Sequence, residues 1–170
     1  DVCSSDLGHR GALPRLSARV AKLVADFGWD IQFYPHGEDL ISHAQELLAL
    51  PVPVVLDHFA AVPAAGGTQQ PAFTCLLQMV DTGRVWVKLS GPMRCDPGDF
   101  PYASVTPLAQ ELARRAPQRL LWGSDWPHVN MNGRQMPNDG DLIDLLAQWV
   151  PNESIRRSIL VDHPREVYGF

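Results

Sequence analysis

A chain of 170 residues with 45% hydrophobic residues is long enough for one domain with a sizeable core. Its net charge of −5 argues against a nucleic-acid partner, because such surfaces need clustered Lys and Arg, and the pairs Arg114-Arg115 and Arg156-Arg157 read as solvated helix faces. Cys3, Cys75 and Cys95 are too few and too far apart for a disulfide framework or a zinc signature, and no apolar run approaches the roughly 18 residues of a membrane span, so a cytoplasmic protein with no membrane partner is expected.

Asp1 to Leu7 (DVCSSDL) is polar and without pattern. It resembles translated adapter DNA and is expected to be a non-native leader before a domain at 8–170. From Leu13 to Phe27, Leu13, Leu16, Val20, Leu23, Val24 and Phe27 recur at steps of three and four, which predicts an amphipathic helix stopped by Gly28. Trp29 to Tyr34 reads as a short strand, and Leu40, Ile41, Ala44, Leu47 and Leu48 mark a second helix ended by Pro51. Pro53 to Leu56 is a continuous apolar run, the mark of a strand buried on both faces, and it leads into Asp57-His58-Phe59. After a loop rich in Ala, Pro and Gly, a helix at Phe73 to Val80 precedes a strand at Val85 to Leu89. That strand leads into Ser90-Gly91-Pro92-Met93-Arg94. A helix at Val105 to Ala116 and a strand at Arg119 to Gly123 follow, running into Ser124-Asp125-Trp126-Pro127-His128. A polar loop from Met131 to Asp139 is expected to arch over one end of the sheet. Helices near Asp141 to Val150 and Glu153 to Val161 close the chain, leaving Pro164 to Phe170 as a tail.

Regular alternation of buried strands and helices predicts an α/β fold with a parallel sheet. The alternatives are an open doubly wound sheet and part of a closed barrel. No Gly-rich phosphate loop follows a strand, which counts against the nucleotide-binding open sheets.

Ionisable and polar residues fall at the C-terminal end of every predicted strand: Tyr34 and His36, Asp57 and His58, Ser90 and Arg94, Asp125 and His128. In parallel α/β folds that edge binds ligands. Asp125 follows an apolar strand, and Trp126 and Pro127 are expected to limit its exposure; such a carboxylate can take a proton from water. A helix-capping or turn-forming Asp is the plainer alternative. His58 could polarise a carbonyl, bind a metal, donate a proton or serve as a structural histidine. Asp57, one residue earlier, is expected to point the other way and to be structural. The planar fork of Arg94 suits a substrate carboxylate. Tyr34 could hydrogen-bond substrate or pack, and His128 could line the pocket or brace the loop. His9, His36, His43 and His163 read as surface or helix residues. No two of the six histidines stand at His-x-His spacing, so the chain supplies no multidentate metal site of its own.

The segments WDIQFYPHGEDL (Trp29 to Leu40), VLDHF (Val55 to Phe59), VWVKLSGPMR (Val85 to Arg94), LLWGSDWPHVN (Leu120 to Asn130), MPNDGDL (Met136 to Leu142) and ILVDHPREVYGF (Ile159 to Phe170) resemble the amidohydrolase family that includes 2-pyrone-4,6-dicarboxylate lactonase. The resemblance implies the C-terminal half of a (β/α)₈ TIM barrel, about four βα units holding strands five to eight. It implies that Asp125 activates water, that His58 stabilises the oxyanion, and that Arg94 holds a substrate carboxylate with Tyr34, His128 and Ser90 around it. Metal-dependent members commonly carry Lys or His where Tyr34 stands, so the resemblance implies hydrolysis of a carboxylate-bearing lactone with no cofactor. A zinc-dependent amidohydrolase or decarboxylase, a sugar-acid lactonase or an inactive fragment remain the alternatives. Half a barrel is also expected to associate, with a homo-oligomer as one outcome.

Overall fold

A computed structural model describes residues 13–170. The expected leader, Asp1 to Leu7, lies outside the described residues, as do Cys3 and His9. Helix α1 (Leu13–Ala25) precedes β1 (Ile31–Phe33), α2 (Gly37–Leu48), β2 (Val54–Leu56), α3 (Pro71–Asp81), β3 (Val85–Leu89), α4 (Thr106–Arg115) and β4 (Leu120–Trp122). Helix α5 (Asp139–Trp149) follows, and a last helical run comprises α6 (Glu153–Arg157), a π turn at Ser158–Asp162 and α7 (His163–Tyr168).

All strand pairs are parallel, in the order β1-β2-β3-β4. The order never reverses, so the described strands have no switch point of the doubly wound kind. Registers such as Phe33 opposite Leu56 and Val87 opposite Leu120 bring the four C-terminal ends to one edge. β3 has the predicted bounds, whereas β1, β2 and β4 are shorter than the sequence predicts. Trp29 is 54% exposed, and the first ladder bond on this side runs from the Ile31 N–H to the Pro53 carbonyl.

Alternation along each strand sorts the side chains. Ile31, Phe33, Val54, Leu56, Val85, Val87, Leu89 and Leu120 join the main core with residues of the helices. Each such fully buried aliphatic side chain contributes about 1.5–3 kcal/mol relative to exposure. Val55, Trp86 and Leu121 form a second cluster, packed against Val167 and Tyr168 of α7. Most of the tail from Pro164 is therefore helical, and its helix covers the second sheet face. Pro164 stands in the first turn of α7, directly after the π turn. His163, read as a surface or helix residue, opens α7 and is buried, with Nδ1 2.8 Å from the Leu120 carbonyl and its ring 5.5 Å from that of Trp86. Among the described residues, no helix is long and apolar enough to cross a membrane.

Candidate active site

Two side chains from two strand ends converge on a carboxylate from a third. Arg94 donates from Nε to Asp125 Oδ2 at 2.9 Å, and its Nη2 lies 2.8 Å from the same oxygen. His58 Nε2 lies 3.3 Å from the other oxygen, Asp125 Oδ1. The His58, Arg94 and Asp125 side chains are 13%, 11% and 12% exposed, so solvent screens their charges only weakly. Trp126 does not provide this shelter, because it is itself 74% exposed. The guanidinium and the imidazole cover the carboxylate instead.

The backbone that presents these groups is strained. His58, Phe59, Ala60 and Ala61 all have positive φ, between 48° and 55°. Non-glycine residues in this region cost on the order of 1 kcal/mol or more each. The turn is held by bonds from the Ala60 N–H to the Asp57 carbonyl and from the Cys95 thiol to the His58 carbonyl. Phe59 anchors it in the core, edge-on to Trp149 at 5.6 Å. Asp125 also has a positive φ, 70°, and its carbonyl accepts from the His128 N–H at 2.7 Å. Such outliers cluster where a fold holds a side chain against its own preference.

Around this carboxylate the other expected site residues take different places. Ser90 is buried, and its Oγ is 2.9 Å from His58 Nδ1. Its polar contact is thus with His58. Tyr34 is half-buried, and its ring meets that of His58 in a T-shaped contact at 4.9 Å. Burial pushes the Tyr34 hydroxyl above its ordinary pKa, so it stays a donor at neutral pH. His128 does not join the group. It is 2% exposed, and Nε2 lies 3.0 Å from Asp139 Oδ1 at the start of α5. Of the two roles read from its position, the structure favours bracing the loop. His36 stands at the start of α2, and His43 pairs with Glu46 on the surface of the same helix.

Asp57 turns to the second sheet face, as its parity with His58 predicts. It accepts from Gln32 Nε2 at 2.7 Å and lies 3.3 Å from Lys88 Nζ, which also bonds Gln32 Oε1. The three side chains form one polar row, in which sequence reasoning missed Gln32 and Lys88 because both sit inside apolar strands. Arg134 was missed too. From the loop after β4 it donates to the carbonyls of Met93, Asp96 and Gly98, so it ties that loop to the one carrying Arg94.

Burial lowers the His58 pKa below its ordinary 6.5, and the Asp125 and Asp57 carboxylates offset this only in part. The neutral ring is therefore favoured at neutral pH. Its Nε2 faces a carboxylate that can only accept, so Nε2 carries the proton and Nδ1 accepts from Ser90. Among the described residues, no group of three or more His, Cys, Asp or Glu side chains could hold a metal ion. His58 and Asp125 alone do not fit one, and Arg94 already occupies one Asp125 oxygen.

A family model described as Amidohydrolase matches residues 4–170. The chain is 38% identical over 152 residues to a 4-sulfomuconolactone hydrolase of Hydrogenophaga intermedia, covering 89% of this chain and 50% of that protein. It is 31% identical over 172 residues to a 2-pyrone-4,6-dicarboxylate hydrolase of Comamonas testosteroni, covering 96% of this chain and 55% of the relative. An apo crystal structure from Agrobacterium tumefaciens superposes with a TM-score of 0.78 at 28% identity, over 89% of this chain and 54% of that one. The chain thus spans about half the length of the curated relatives it matches.

Proposed function

We propose a function from one established premise: this chain belongs to the amidohydrolase family. The lactone hydrolases it matches support lactone hydrolysis as the activity of the full-length protein. The finer reading is that the full-length protein opens a carboxylate-bearing lactone of the 2-pyrone-4,6-dicarboxylate kind, with Asp125 activating water and no obligatory metal. One observation carries it: the Asp125 carboxylate at the strand edge, with His58 on one oxygen and Arg94 on the other.

In this mechanism Asp125 takes a proton from water while the water oxygen bonds to the lactone carbonyl carbon. The carbonyl oxygen becomes an oxyanion, stabilised by the Nε2–H of His58 and by groups from the rest of the protein. Collapse of the intermediate breaks the ring C–O bond, and the departing ring oxygen takes the proton back. Arg94 binds the acid group of the substrate. Its present partner is a carboxylate, so the contact with Asp125 displays the chemistry it would offer the ligand. The relatives named above act on lactones bearing acid groups, a sulfonate in one name and two carboxylates in the other, which supports an anion-binding guanidinium here.

The test is turnover of 2-pyrone-4,6-dicarboxylate by the full-length protein before and after exhaustive chelation. Activity is expected to survive, because Tyr34 stands at the strand end where metal-dependent family members carry Lys or His. Loss on chelation, restored by stoichiometric zinc, would move the protein to the metal-dependent branch. No turnover of any acidic lactone would remove the reading altogether.

We further infer that the chain is the C-terminal half of a (β/α)₈ barrel, its strands being the fifth to the eighth. Their sequential parallel order and the half-length match to the relatives support this. The 170-residue chain expressed alone is then expected to associate. Among the described residues β1 and β4 have open edges, and Leu23, Phe27 and Trp29 are 64%, 71% and 54% exposed. Sizing chromatography checks this. A strictly monomeric species with a sharp thermal transition would contradict the half-barrel reading.

A further inference from the structure

We propose that Ser90 and Gly91, at the end of β3, form the mount that fixes the orientation of the His58 ring. The inference rests on the reading of His58 and Asp125 as reacting groups, and it makes Ser90 and Gly91 positioning residues. Gly91 is in the left-handed region, at φ 52° and ψ 51°. More tellingly, a Cβ there would lie 2.7 Å from His58 Nδ1, 3.1 Å from His58 Cγ and 3.1 Å from Arg94 Cγ. Two members of the cluster therefore fill the space that any side chain at position 91 would need.

Neither neighbour can easily yield. The His58 ring is held by Ser90 on Nδ1, by Asp125 beside Nε2 and by the Tyr34 ring across its edge, while the Cys95 thiol holds its carbonyl. Arg94 Cγ is the middle of a side chain whose far end is fixed on Asp125. A methyl group at position 91 must push the ring off Ser90, off Asp125, or both.

Ser90 adds a contact that follows the protonation of the ring. With Nε2–H aimed at Asp125, the hydroxyl donates to Nδ1. When the ring takes a second proton, Nδ1–H appears and the hydroxyl turns to accept it. The same contact thus holds both protonation states in one orientation. The charged and titratable groups around the ring are Asp125, Arg94 and Tyr34, with Asp57 and Lys88 acting from further off.

The experiment compares Gly91→Ala with Gly169→Ala in the full-length protein. Gly169 is also left-handed, at φ 72° and ψ 33°, but no atom lies within 4 Å of its would-be Cβ. It reproduces the backbone strain without the collision. The readouts are kcat and KM on 2-pyrone-4,6-dicarboxylate, and the ¹⁵N signals of the His58 ring through a pH titration. Gly91→Ala is expected to lower kcat by about tenfold or more, since small misplacements of reacting groups cost that much. It should also shift the His58 titration. Gly169→Ala should leave both near wild type. Ser90→Ala adds no atom and decides the matter if Gly91→Ala fails to fold: the His58 Nδ1 signal should shift as it loses its hydrogen bond, while Asp125 keeps the proton on Nε2. Folded variants with unchanged ring signals would overturn the mount, whatever the turnover. Altered ring signals in a protein that hydrolyses no lactone would uphold the mount and refute the proposed reaction.

Discussion

Asp125→Asn in the full-length protein is expected to lower kcat by about 10²–10⁴-fold, with substrate affinity changed by only a few-fold. The amide keeps the shape of the carboxylate but cannot take a proton from water. The site can accept it without rebuilding. The amide oxygen can receive the Arg94 bonds now made to Oδ2, and the amide nitrogen can face His58 Nε2. That second contact needs the other ring tautomer, with Nδ1–H donating to Ser90 Oγ. Steady-state kinetics with a binding isotherm for a non-reacting analogue separate catalysis from affinity. A thermal melt checks that the fold survives the loss of this weakly screened charge. A variant retaining more than about a tenth of wild-type kcat would take the base role from Asp125.

Arg94→Met should raise KM for acidic lactones by roughly tenfold or more while neutral lactones bind nearly as before. A charge-assisted hydrogen bond contributes about 1.5–3 kcal/mol, and methionine keeps much of the side-chain volume without the guanidinium. The position is well prepared for this role. Arg94 is only 11% exposed, and Arg134 pins its loop through the carbonyls of Met93, Asp96 and Gly98. Because Arg94 also bonds Asp125, the same substitution removes one of that carboxylate's two partners. A loss of kcat on both substrate types would report that second effect. Equal changes in KM for charged and neutral substrates would show that Arg94 acts on Asp125 and the loop, and that the acid group is bound elsewhere.

Much of this protein is legible in its sequence, for local reasons. The apolar runs at Val54–Leu56 and Val85–Leu89 have to be buried on both faces, and a parallel sheet flanked by helices does that. Steps of three and four gave the helices before and between the strands, and strand ends rich in His, Asp and Arg pointed to one working edge. The parity of Asp57 and His58 correctly separated their directions. What the sequence could not determine is contact between residues far apart in the chain. Arg94 and Asp125 are 31 residues apart, and His58 and Ser90 are 32 apart; the parallel register alone brings each pair within bonding distance. Only the tertiary structure turned His128 away to Asp139, buried His163 against Trp86, and folded the tail after Pro164 into a helix over the second sheet face. Gly91 is the clearest case. In the sequence it reads as a tight turn, yet its lack of a side chain matters because His58 and Arg94, from two other points in the chain, occupy that space. Burial and periodicity are written along the chain, whereas the exclusion of one atom by another is decided only where the chain meets itself.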